Sequence, residues 1–126
     1  MAVEQVIVQR VIRLYDWWAD SLYAGRRASE FRRHEPRGFM SEVNRPYDLA
    51  WNLGRVHAIM RRIERGQKID PIEIDSDSRF EVFLHDGHHR LAAAHVLHVE
   101  RIPAYYRGTE PDLLAYLIGD RRTRPR

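Results

Sequence analysis

The run FEVFLHDGHHRLAAAHVLHVERIPAYY, from Phe80 to Tyr106, constrains the fold more than any other part of the chain. Phe80 to His85 alternates loosely between apolar and polar residues, which predicts a strand. Asp86 and Gly87 break that pattern. His88 to Val99 then reads as a helix, with Leu91, Ala92, Ala94, Val96 and Leu97 available for burial, and Ile102 to Tyr106 reads as another strand. A helix carrying the chain from one strand to the next implies a parallel pair joined by a right-handed crossover.

The rest of the chain fits around that unit. PIEID (Pro71 to Asp75), the turn SDSR and FEVFLH form a predicted hairpin. Leu49, Leu53, Val56, Ile59, Met60 and Ile63 recur at helical spacing before Gly66, a stripe expected to lie on a sheet. Val3, Ile7, Val11, Leu14, Tyr15, Trp18 and Leu22 predict a first helix ending near Gly25, whose Trp17, Trp18 and Tyr23 serve the core or an interface. Arg26 to Gly38 is charged and aperiodic, a loop, a short broken helix or a lid. Asn44, Pro46 and Tyr47 mark a turn, and Thr109 or Glu110 caps a helix from Pro111 to Ile118. The expected class is α+β: a small mixed sheet, hairpin plus βαβ crossover, packed against helices. A chain of 126 residues suits one domain. It divides into an N-terminal helix and charged loop (1–38), a core (39–118) and a basic tail (119–126).

Composition removes several classes of function. There is no cysteine, so disulfides, thiolate metal sites and thiol catalysis are excluded. No apolar run reaches the roughly 18 to 20 residues that span a bilayer. MAVEQVIVQR lacks the basic start and apolar centre of a secretory signal, so no membrane partner and a cytoplasmic location are expected. The formal net charge is +3 and Lys68 is the sole lysine. Arginine's planar fork suits phosphates and carboxylates, and RRTRPR would sit near phosphates if a polyanion were bound.

The junction between strand and helix carries the chemistry. A helix start exposes unpaired backbone N–H groups and a partial positive charge, which together attract an anion. Gly87 lets the backbone turn sharply and approach that anion. His88, His89 and Arg90 add side-chain donors where cations are otherwise disfavoured, by about 0.3 to 1 kcal/mol each, and a phosphate reverses that cost. A metal alternative uses His85, Asp86, His88 and His89, with His95 and His98 further along the helix. Adjacent helical histidines point about a hundred degrees apart, which favours the anion. His57 reads as a packed histidine.

The stretch from about Leu53 to Tyr106, with PIEI, EVFLHDGHHRLAAA and IPAYY, resembles the ParB/sulfiredoxin superfamily, whose members hold nucleotide phosphates at such a junction. Sulfiredoxins carry a catalytic cysteine where this chain has His88, so that activity is excluded. Chromosome-partition ParB proteins have a GERR-like motif, matched here at Gly87 and Arg90 only. RGTEPDLLAYLIGD lacks their second arginine motif. The free serine kinase branch carries DGHHR intact. That resemblance implies Asp86 arranging Mg²⁺ or the reacting hydroxyl, Gly87, His88, His89 and Arg90 holding the phosphates of ATP or CTP, and a glutamate base upstream, with Glu42 or Asp48 in the corresponding region.

Three functions follow as expectations. The first is a nucleotide-binding enzyme, an NTP-dependent phosphotransferase or nucleotide hydrolase, with Asp86, His88, Glu42 and Asp48 as catalytic candidates. The second is a ParB-like DNA-binding or nuclease module contacting nucleic acid through the arginines of 26–37 and 121–126. The third is a protein-interaction module with a vestigial junction. The oligomeric state is left open.

Overall fold

The computed structural model describes residues 2–38, 48–77 and 79–119. A four-stranded mixed sheet is built from β1 (Val3–Ile7), β2 (Ile72–Ser76), β3 (Val82–Asp86) and β4 (Arg101–Tyr106). The helices are α1 (Val8–Leu14), α2 (Ala28–Arg32), α3 (Leu49–Glu64), α4 (His88–Val96) and α5 (Pro111–Ile118), with a 3-10 turn at Asp16–Asp20. The α+β class and the hairpin stand as read, since β2 and β3 pair antiparallel.

The order across the sheet is β1-β4-β2-β3, and it corrects the expected crossover. β4 runs parallel to β2 rather than beside β3, and β1 closes the other side antiparallel to β4. Because β3 opposes β2, it also opposes β4. The helix between β3 and β4 therefore joins two antiparallel strands with β2 between them. Ile72 and Ile74 of β2 and Ile102 and Ala104 of β4 are fully or almost fully buried, which makes these two the central strands.

The first predicted helix is also corrected. Val3–Ile7 is a strand, and the helix read there forms over Val8–Leu14. The β-branched pair Val6–Ile7 favours extended backbone, and β4 offers an edge for it to cover, with Val6 opposite Ile102. Val6 and Val8 are thus part of the core. Trp18 packs against both apolar clusters and Tyr23 is buried, whereas Trp17 is 69% exposed. Within the charged stretch, α2 forms one short helix whose Phe31 is buried, with Glu30 accepting from the Arg27 N–H at 3.2 Å.

The stripe on α3 meets helices rather than the sheet. Leu53, Val56, Ile59 and Met60 gather with Tyr23, Phe31, Ala92 and Ala93 in one cluster, while Leu91 and Ala94 join the sheet residues in another. Helix α4 is therefore walled on both sides, and the four residues Leu91 to Ala94 have no exposed surface. A run of alanines permits this because a helix flanked by sheet and helix has room for little more than a methyl group. Gly54 serves a similar need on α3. The segment 35–37 crosses it so closely that a Cβ there would strike the Glu35 carbonyl and lie 2.9 Å from the Arg37 Cγ.

Candidate functional site

Strand β3 ends in an irregularity. Ile74 pairs with Leu84 but Glu73 pairs with Asp86, leaving His85 as an extra residue. Such a bulge bends the strand and re-aims its side chains. Here His85 turns to Asp75 at 3.1 Å, and that hydrogen bond is the main reason the Asp75 carboxyl titrates below its ordinary range. Gly87 then takes φ +110° and serves as the N-cap of α4. No other residue fits well, because a Cβ there would overlap the Ile72 side chain, with the Ile72 Cβ 2.7 Å away. No side chain caps α4, and among the described residues no group accepts from the backbone N–H of His88, His89 or Arg90.

The junction forms one wall of a cavity of about 520 Å³. Asp86 to Arg90 line one side. Trp51, Arg55 and Arg62, spaced i, i+4 and i+11 on α3, line the other, with Asp70 nearby. Arg55 and Arg62 are not apparent as site residues from the sequence, where the apolar stripe of α3 is the dominant pattern. The signal was a second stripe of Trp51, Arg55 and Arg62 beside it. Burial lowers the pKa of Arg55, and the positive charges of Arg62 and Arg90 lower it further. Three guanidiniums thus face one space, and among the described residues neither Arg55 nor Arg62 pairs with a carboxylate.

The side chains of the DGHHR motif are already engaged, which revises their expected roles. The Arg90 Nη1 donates to the carbonyls of Asp70 (2.9 Å) and Pro71 (2.8 Å), and Nη2 pairs with Asp86 at 2.9 Å. It is first a clamp holding the entry to β2 against the start of α4. His88 Nε2 lies 2.8 Å from the Tyr15 hydroxyl, and burial lowers its pKa. His89 Nε2 lies 2.9 Å from Asn52 Oδ1. Burial, with smaller contributions from Arg55, His88 and Arg90, pushes the His89 pKa down to about 4. Both histidines are therefore neutral at pH 7, and the expected cost of cations at this helix start does not arise for them.

The other candidates separate. Asp48 caps α3, its Oδ1 accepting from the Trp51 N–H at 3.0 Å, and it is not among the residues that line the cavity. Glu42 lies outside the described residues, as do the Asn44–Tyr47 turn and the basic tail. Asp86 stands at the rim with its side chain 64% exposed. His95 packs edge-on against Trp18 and meets Gln9 at 3.0 Å. His57 donates from Nδ1 to the His34 carbonyl at 2.7 Å, as a packed histidine would. With His85, His88 and His89 directed to Asp75, Tyr15 and Asn52, no three histidines or carboxylates converge among the described residues. No described helix is long and apolar enough to cross a membrane. No protein-family model, curated protein or solved structure matches this chain.

Proposed function

We propose that this cavity binds the phosphates of a nucleotide, against the opening turn of α4 and the guanidiniums of Arg55 and Arg62. One observation carries the reading: three arginines and three unpartnered helix-start amides line the same cavity, while the acids lining it number two and one of these is already matched to Arg90. Bringing a polyanion between Arg55 and Arg62 relieves their mutual repulsion and adds charge-assisted hydrogen bonds. Trp51 supplies an aromatic surface for a base. The resemblance of DGHHR to the free serine kinase branch supports the same reading.

A phosphotransferase or nucleotide hydrolase is the enzyme such a site would make, because phosphoryl transfer asks mainly for positioning and charge neutralisation. Mg²⁺ carried on nucleotide phosphates takes only one or two carboxylates and keeps much of its water, so Asp86, with Asp70 beside it, fits that demand. Bound there, the ion would neutralise charge on the phosphates. The exposed Arg61 and Arg65 flanking Arg62 favour a second reading, in which the end of α3 contacts a nucleic-acid backbone. Calorimetric titration with ATP, CTP and their diphosphates, with and without Mg²⁺, tests the first. Heat and a thermal shift with any of them are expected. Neither heat nor shift with all four overturns it.

A further inference from the structure

Asn52 is the one buried polar residue among the described residues of the core, and it sits on α3 directly beneath His89. Its amide orientation is fixed from two sides. Nδ2 donates to the Asp48 carbonyl at 2.7 Å, and Oδ1 accepts from the Tyr23 hydroxyl at 3.4 Å. A flipped amide would place two oxygens against each other at the Asp48 carbonyl. Oδ1 therefore faces His89, and the imidazole must donate from Nε2. A neutral imidazole that carries its proton on Nε2 has a bare Nδ1.

That second nitrogen is open. No buried side-chain nitrogen or oxygen among the described residues lacks a hydrogen-bond partner, and Nδ1 of His89 takes none, so it is not buried. His89 lines the cavity together with Arg55 and Arg90, and with Nε2 turned to Asn52 it is Nδ1 that is left to meet what enters there. Trp51 and Tyr23 hold the ring edge-on at 5.8 and 5.9 Å, which limits its rotation. The groups facing His89 are Arg55 from α3, His88 and Arg90 from α4, and Asp86 from β3, and the cations among them oppose protonation of the ring.

We infer that Asn52 is a positioning residue that presents His89 to the cavity as a hydrogen-bond acceptor, so that the site selects a phosphate ester carrying a free hydroxyl over an inorganic anion. This rests on the phosphate reading above. A ring of this kind repels the bare oxygens of a phosphate and accepts from a sugar or alcohol O–H placed beside it. The selectivity of one such hydrogen bond is a factor of roughly three to ten in Kd.

Two measurements on the full chain test this. Nitrogen-15 spectra of the free protein at pH 7 should show His89 protonated on Nε2 and bare on Nδ1. In Asn52→Asp, whose carboxylate stabilises an imidazolium, both ring nitrogens should be protonated. A proton on Nδ1 in the unsubstituted protein, or an Asn52→Asp spectrum unchanged in a folded protein, overturns the inference. Titration calorimetry should then give tighter binding of ribose 5-phosphate than of inorganic phosphate, with the difference lost in His89→Phe. Equal binding of the two ligands sinks this inference and leaves the phosphate site standing. Failure of both to bind sinks this inference, and the phosphate reading falls with it when ATP, CTP and their diphosphates also fail to bind.

Discussion

Arg90→Ala separates a clamp from a ligand contact. The side chain is only 16% exposed, and its Nη1 spans two carbonyls at the entry to β2. A hydrogen bond from a charged donor contributes about 1.5 to 3 kcal/mol. Because the Asp70 carbonyl is in an exposed setting, both bonds are taken at the lower end, about 3 kcal/mol together. The pair with Asp86 adds at most about 1 kcal/mol because that carboxylate is exposed. Urea denaturation should therefore show a loss of about 3 kcal/mol, equivalent to roughly 10 °C in Tm. Arg90→Lys restores the charge without the fork and should recover only a minor part of it. Phosphate affinity, measured below the lowered Tm, should fall less than tenfold. A stability loss under about 1 kcal/mol together with abolished binding would refute the clamp and return Arg90 to the role the sequence suggested.

Other consequences follow from the same geometry. Gly87→Ala should cost about 3 kcal/mol, combining left-handed backbone strain with overlap against Ile72, and thermal denaturation reads it directly. Arg55→Met loses only a long, exposed hydrogen bond to the Arg37 carbonyl at 3.3 Å, so the fold should hold within about 1 kcal/mol. Nucleotide Kd should meanwhile rise roughly tenfold or more by calorimetry. The depressed pKa of His89 sets a pH dependence: from about 6.5 down to about 4 the unfolded chain binds the proton and the folded one does not. Stability should be full above that window and fall by on the order of 3 kcal/mol through it, with His88 and His95 acting in the same direction. Urea midpoints at pH 7, 5.5 and 4 check this, and a flat series contradicts it.

The elements that local pattern controls were legible. PIEID with FEVFLH, the α3 stripe, the alanine-rich α4 and the Pro111 helix all lie where spacing and turn residues place them. What failed was pairing at long range. Nothing local in Val3–Ile7 says that β4 will offer it an edge, and nothing in the β3-α4-β4 run says that β4 will lie beside β2 instead of β3. Sequence order and sheet order are set by different contacts. At the site, the junction at Gly87 was legible because glycine, strand and helix signals coincide there. The neutral state of its histidines was not, since it follows from burial, and their partners Tyr15 and Asn52 lie 73 and 37 residues away. Asn52 did leave a trace: it falls on the same lattice as Leu49, Leu53, Val56 and Met60, a lone amide among apolar neighbours.

Walling α4 with alanines has a consequence for ligand recognition. Alanine has no rotamers to exchange, so the helix cannot yield by local rearrangement when something docks at its first turn. Any displacement there must push against β2 and β4 on one flank and α3 on the other. The anvil is set when the chain folds, and selectivity must come from the ligand matching it rather than from the helix adjusting to the ligand.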